Sequence, residues 1–313
     1  MRCSAFALAV FFGAGLTAFA QVDQGLLNLV PSGTRVLAGI RVDQGKVSPF
    51  GQYLLQRAAQ QDDHFQKLLD ETGFDPRRDL REVLFASAGE HGQPGMRPHG
   101  IVLARGIFDP QRIKNTAVAQ GGHIERYRGV DIISGKAGEN GGVAFLDETL
   151  AVMGDRATIR SLIQNRNAPS PLDPQLQQRM DIASTGNEAW FASVIPGTEI
   201  PAKAKFGPDG QNINGAVLQG ITQTSGAVHS AANGLNLNFD AVMRSEKDAQ
   251  SLSDVIRFFA GMVQMQAQNQ PQAALLLPSL DSMRLTTTGN ETHVSLSIPE
   301  TTVEQLLSGR NAK

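Results

Sequence analysis

The sequence has only one cysteine, Cys3, and this scarcity limits both its covalent structure and its chemistry. Cys3 lies in a short apolar stretch at the N-terminus, so the rest of the chain has no disulfide, no thiolate nucleophile and no thiolate metal ligand. We therefore expect the hydrophobic core to hold the fold, and a chain of 313 residues is long enough to form one.

The chain also has little net charge and few aromatic side chains. The chain has 28 lysines and arginines against 30 aspartates and glutamates, and no block of five like charges occurs. This balance argues against nucleic-acid binding and against a polybasic contact with a membrane. One tryptophan and two tyrosines are too few and too scattered for a stacking platform, which argues against a carbohydrate-binding surface.

Residues 1–20 differ from the rest of the chain. They begin with Arg2, continue as an apolar run and end in Ala18-Phe19-Ala20, a pattern typical of a cleaved secretory signal peptide. The alternative is an uncleaved anchor, but the run is shorter than the roughly 20 residues that a spanning helix needs. Cys3 does not follow a small-residue site, so lipid attachment is not expected. We predict an exported, periplasmic or extracellular protein with no stable membrane insertion after cleavage.

The chain contains the same pattern of elements twice. "FLDETLAVMGDRATIRSLI" (145–163) and "RLTTTGNETHVSLSIPETTVEQLL" (284–307) each predict a hairpin followed by a short helix. Upstream of them, the strands "GIVLARG" and "LNLNFDAVM" precede helices that start at Asp109 and Ser245. The order strand, helix, strand, strand, helix therefore occurs twice, with at least one more strand ahead of each copy.

This pattern predicts an α+β fold with two pseudo-repeated units of antiparallel sheet covered by helices, whose sheets either merge or pack face to face. The predicted boundaries are a signal peptide at 1–20, an N-terminal unit at 21–165, a linker at 166–186 and a C-terminal unit at 187–313. Within the units, Asn233-Gly234 predicts a type I′ hairpin turn.

The sequence lacks the common catalytic and nucleotide-binding motifs, and it indicates no cofactor. His91 and His99 flank a loop rich in glycine and proline, with Glu90 nearby, and a folded-back loop would bring them together. Zinc sites usually take three or four protein ligands, so we expect no metal site there. Asp147 and Glu148 lie in a predicted hairpin turn, where local hydrogen bonding explains an aspartate.

Three short segments resemble a loose group of uncharacterised exported bacterial proteins: "LVPSGTRVLAGIRV", "TGFDPRRDLREVLFA" and "SEKDAQSLSDVIRFFAGM". The resemblance implies export and a helix-and-sheet repeat, and it brings no catalytic residue.

We predict a non-enzymatic binding or envelope-assembly protein of unknown ligand and oligomeric state, with an envelope protein as its partner. The alternative is an unrecognised hydrolase, in which at least two of Glu90, His91, His99, Asp147 and Glu148 converge in a cleft between the halves. A third reading is a ligand-sensing or inhibitory domain that uses the helix at 246–266, and it requires Met262 or Phe259 to be exposed.

Overall fold

A computed structural model describes residues 22–48, 51–52, 69–89, 100–135, 140–168, 171–199, 215–268 and 270–309. Its strands are β1 Val36–Arg41, β2 Leu80–Ser87, β3 Gly100–Gly106, β4 His123–Tyr127, β5 Val130–Ser134, β6 Gly141–Phe145, β7 Leu150–Asp155, β8 Ala189–Ser193, β9 Ile221–Ala231, β10 Gly234–Met243, β11 Arg284–Thr288 and β12 Glu291–Pro299. Its helices are α1 Gln24–Leu27, α2 Val42–Gly45, α3 Pro76–Asp79, α4 Pro110–Ala119, α5 Arg156–Asn165, α6 Pro174–Ser184, α7 Gly215–Leu218, α8 Glu246–Gln266, α9 Pro271–Ala274, α10 Leu277–Asp281 and α11 Glu300–Gly309, with a 3-10 turn at Gly197–Glu199.

The twelve strands form one antiparallel sheet in the order β11-β12-β10-β9-β8-β1-β2-β3-β7-β6-β5-β4. From the central pair outwards, β8-β9-β10-β12-β11 on one side repeats β1-β2-β3-β7-β6 on the other. The extra hairpin β4–β5 extends the second side. The α+β fold and the duplicated topology are thus confirmed, and of the two arrangements left open the sheets merge, through the pairing of β1 with β8.

Helix starts agree with the sequence at both copies. Asp109 accepts a hydrogen bond from the backbone N–H of Arg112 at the start of α4, and Ser245 accepts one from Asp248 at the start of α8. Each side chain satisfies an N–H that the first helical turn leaves without a partner.

The main core lies on one face of the sheet, beneath α5 and α6. Leu37, Leu84 and Leu103 of the central strands have no exposed surface, and Ile159 of α5 and Leu176 of α6 pack against this cluster. A second, smaller cluster forms on the opposite face, where α8 packs on β10, β11 and β12. Its buried residues are Ile221, Ala241, Met243, Ala249 and Leu252. None of the helices in the described ranges is long and apolar enough to cross a bilayer.

The division of the chain at 166–186 stays a prediction. Within that segment the structure places α6, whose Leu176, Met180 and Ala183 are buried in the main core. The sequence signal for a spacer was its three prolines, and one of them, Pro174, occupies the first turn of the helix, where proline is tolerated.

Of two further hairpin turns, one was not predicted and the other was predicted wrongly. "YRGVDIISG" forms two strands, because Arg128 and Gly129 both have positive φ, 48° and 84°, and close a tight turn between Tyr127 and Val130. The hairpin of β9 and β10 does form, but Ala231 pairs with Gly234, so its turn is Ala232-Asn233, and neither residue has the positive φ that type I′ needs.

Candidate functional site

The hairpin of β4 and β5 carries charged residues at its turn. Arg126 and Asp131 pair across the two strands, with an Arg126 Nη1 to Asp131 Oδ1 distance of 3.0 Å. Arg128 lies at the tip in a left-handed conformation that non-glycine residues adopt at a cost of about 1–2 kcal/mol. The fold therefore places an arginine at a position that would favour glycine.

Beside this turn is a cavity of about 400 Å³ that we call the cationic cavity. It is lined by the start of α4, the β4–β5 turn, the end of β6 and the residue after α5. Its charged residues are four cations and one carboxylate: Lys114, Arg126, Arg128, Arg166 and Asp131. Its size falls within the range usual for small-molecule sites.

Asp131 neutralises only part of this charge. Its carboxylate accepts a hydrogen bond from Lys114 Nζ at 2.8 Å and one from Arg126, and these partners, Lys114 first, hold the pKa of Asp131 below its usual range. Arg128 and Arg166 form no ion pair with any residue in the described ranges. The cavity therefore has a surplus of positive charge, which attracts anions.

The cavity also has an apolar wall. Val130 and Ile133 are buried, and Phe145 lies beside them at the end of β6. The Phe145 ring packs against Phe108, with 5.4 Å between the ring centroids. This wall lowers the local dielectric constant, so a charge–charge contact inside the cavity is stronger than one on an open surface.

A second group of charges lies in the middle of the sheet. Arg41, Glu82 and Arg105 are opposite one another on β1, β2 and β3. Asp23 donates its backbone N–H to the Glu82 carboxylate at 3.2 Å, and its own carboxylate accepts hydrogen bonds from Arg105 at 2.9 and 3.0 Å. Burial raises the pKa of Glu82 to about 7, against the opposing effects of the Asp23 N–H and the positive charge of Arg41. The group fastens the segment that contains α1 to the sheet.

The carboxylates proposed for a hydrolase site are only partly within the described ranges. Asp147 and Glu148 lie in the β6–β7 turn, as predicted, and Asp147 accepts hydrogen bonds from the backbone N–H and hydroxyl of Thr149. Burial would raise the pKa of Asp147, but these bonds, with others, hold it below its usual value. Glu90, His91 and His99 lie outside the described residues, so their convergence with Asp147 stays a prediction. No group of three metal-ligating side chains occurs within the described part of the chain.

A row of Ser225, Asp240 and His293 lies on neighbouring strands and was not predicted from the sequence. Register places Ser225 opposite Asp240 and Asp240 opposite His293, and His293 Nδ1 lies 2.6 Å from Asp240 Oδ1. A serine hydrolase needs the histidine between the serine and the carboxylate. Here the strand that carries the aspartate lies between the other two, so His293 is not placed to accept a proton from Ser225.

The helix at 246–266 exposes different residues from those named in the sequence analysis. Phe258 and Met265 are 64% and 72% exposed, whereas Phe259 and Met262 are half-buried. The rings of Phe258 and Phe259 meet edge to face, with 5.8 Å between their centroids. The face proposed for ligand sensing is therefore partly occupied by packing within the protein.

Comparisons with known proteins agree with the fold and add no chemistry. No family model matches the chain, and no curated protein is similar to it in sequence. The chain is similar to solved structures of TP0453: crystal form III at 12% identity and a TM-score of 0.51, over 90% of this chain and 97% of that one. Crystal form IV matches at 10% identity and a TM-score of 0.50, over 89% and 95%. At these identities the likeness shows the fold alone, and the resemblance to a group of exported bacterial proteins stays a prediction.

Proposed function

We propose that this protein is an exported, non-enzymatic binding or envelope-assembly protein, and that its cationic cavity holds an anionic group of the ligand. The observation that carries the proposal is the excess of four cations over one carboxylate in a single cavity. Arg128 also supports the proposal. Its left-handed conformation costs free energy of folding, and binding of an anion by its guanidinium would explain why an arginine occupies this position.

Export rests on the residues at 1–20. Fractionation of cells that express the full chain, followed by N-terminal sequencing, tests it. We expect the protein in the exported fraction with a first residue of Gln21. A full-length chain in the cytoplasm would contradict export while leaving the cavity and its ligand untouched.

Isothermal titration calorimetry with pyrophosphate at low ionic strength tests the cavity. We expect Arg128→Asn and Arg166→Gln each to weaken binding about tenfold, since a hydrogen bond to a charged group contributes about 1.5–3 kcal/mol. Asparagine suits the left-handed turn, so the first variant keeps the hairpin.

The matched control is Arg284→Gln. Arg284 is exposed on β11, at the opposite edge of the sheet from β4, and its replacement changes the net charge equally. We expect this variant to bind like the parent protein. No binding by the parent protein, or an equal loss in the Arg284 variant, would show that the cavity is not a specific anion site.

A further inference from the structure

A second cavity adjoins the cationic cavity. It has a volume of about 230 Å³ and lies between the last two turns of α5 and residues 28–32 of the N-terminal segment. Arg166 lines both cavities. Pro31 in turn belongs to both the second cavity and a third, of about 460 Å³, near Arg35 and Asp173. The three cavities are therefore neighbours that share these residues, and we call them together the groove.

The chemistry changes along this groove. The cationic cavity has a surplus of charge, whereas the second cavity is lined by amides and hydroxyls above an apolar floor. The polar side chains are Asn28, Ser32, Thr158, Ser161 and Asn165, and the floor is made of Leu29, Val30 and Leu162. Leu29, Val30 and Leu162 are nearly inaccessible to solvent, so the floor is a firm surface.

A charged end followed by uncharged polar groups above an apolar floor suits an extended polypeptide. A backbone presents N–H and C=O groups at regular spacing, and asparagine side chains can serve both, because each has two donors and an acceptor. The groove also includes the C-terminal end of α5, where the negative end of the helix dipole attracts N–H donors. Alternate side chains of the bound segment would face the apolar floor.

A saccharide fits the same lining less well. None of the described residues around the second cavity is aromatic, so sugar rings would have no face to stack on. Apart from Arg166, which the two cavities share, the polar side chains of the second cavity are uncharged, so a uniformly charged polymer would find most of the cations at one end.

We infer that the groove from the cationic cavity to the second cavity binds an extended segment of a partner protein, with acidic side chains at one end. The carboxylates lie among Arg126, Arg128 and Arg166, and the backbone beyond them lies along α5 and the N-terminal segment. This inference rests on the proposed function, because it names the class of ligand for the same cavity.

Fluorescence anisotropy with a labelled octapeptide tests it. The peptide has three aspartates followed by alternating valine and serine, and a second peptide has asparagine in place of each aspartate. We expect the acidic peptide to bind at least tenfold more tightly than the asparagine peptide. The substitution Ser161→Leu, which fills the second cavity from the exposed side of α5, should weaken peptide binding about tenfold and leave pyrophosphate binding unchanged.

The control for a general effect of an added leucine is Ser251→Leu on α8, which packs on the opposite face of the sheet. Peptide binding that is equally lowered by both leucine variants, or not lowered by Ser161→Leu, would overturn the inference. A sulfated tetrasaccharide that binds more tightly than the acidic peptide and is blocked by Ser161→Leu would also overturn it. If pyrophosphate binds and the peptide does not, the proposed anion site stands without a peptide ligand; if neither binds, both proposals fail.

Discussion

Gly39 and Trp190 lie opposite each other on the two strands that join the halves of the protein. The indole covers the glycine so closely that a Cβ atom at position 39 would be 2.4 Å from the ring. Trp190 is only 4% exposed and belongs to the main core, which continues from the N-terminal strands into Ala192 and Ala227 of the other half. The Trp190 indole therefore occupies the space that a side chain at position 39 would need.

We predict that Gly39→Ala lowers the free energy of unfolding by about 1–3 kcal/mol, because the methyl group forces the indole or the strands to move. Urea denaturation measures the change. Gly45→Ala is the control, since a Cβ there meets nothing within 4 Å and the glycine has no positive φ. A Gly39→Ala variant as stable as the Gly45→Ala variant would show that the junction is looser than the structure indicates.

The sequence could predict the elements that depend on neighbouring residues. Asp109 and Ser245 cap helices through N–H groups only three residues away, and the repeat of hairpin and helix is visible in the spacing of apolar residues. It could not predict how the units join, because Gly39 and Trp190 are far apart in the sequence and either edge of each unit could have formed the pairing. The main candidate site was missed for the same reason, since Lys114, Arg126 and Arg166 come from separate elements.

Two hairpin turns, one predicted wrongly and one not predicted, show where local rules do not determine the structure. Asn233-Gly234 is a strong type I′ signal, but β9 and β10 are long strands whose register is also set by their outer neighbours, β8 and β12. Gly234 is needed for another reason: a Cβ there would lie 2.0 Å from the carbonyl oxygen of Ile298. Conversely, Arg128-Gly129 forms a turn with positive φ although arginine seldom adopts one. An arginine directly before Gly129, in a turn that would favour glycine or asparagine, was the sequence feature that could have pointed to the cationic cavity.

The buried carboxylate of Glu82 should make stability depend on pH. Its pKa is raised from 4.5 to about 7 in the folded protein, so its contribution is fully present below about pH 4.5 and is lost as the pH rises to about 7. Asp23 and Asp43 oppose its ionisation, while Arg41 and the Asp23 N–H favour it.

In the parent protein, ionisation of Glu82 should lower the free energy of unfolding by up to about 3 kcal/mol between pH 4.5 and 7. We predict that Glu82→Gln abolishes this decrease, as measured by denaturation at several pH values. Glutamine keeps an acceptor for the Asp23 N–H, so the variant should fold. Comparison with the parent protein at each pH isolates this carboxylate from aspartates such as Asp75 and Asp131, whose pKa values are lowered and whose contribution is lost as the pH falls. Parallel curves for the two proteins would rule out the assigned role.

Arg179 connects α6 to the C-terminal strands. The side chain is 8% exposed, donates from Nε to Gln223 at 3.0 Å and forms an ion pair with Glu291. We predict that Arg179→Ala lowers the free energy of unfolding by about 2–3 kcal/mol, because it removes packing and leaves Gln223 without its partner. Glu291→Gln should cost less than about 1 kcal/mol, since glutamine keeps an oxygen acceptor for Arg179 and the partner side chain is 40% exposed, so water screens the pair. Equal losses in the two variants would contradict a role for Arg179 beyond the ion pair.

Arg128 provides a test in which stability and binding change in opposite directions. Glycine adopts the positive φ of this position without strain, so Arg128→Gly should raise the free energy of unfolding by about 0.5–1 kcal/mol, part of the gain being offset by the greater freedom of glycine in the unfolded chain. The same variant should weaken pyrophosphate binding about tenfold. Arg284→Gly, at an extended position on β11, should instead lower stability and leave binding unchanged. A stable Arg128→Gly variant that still binds like the parent protein would mean that the arginine is not retained for the anion, and the strained turn would then need another cause.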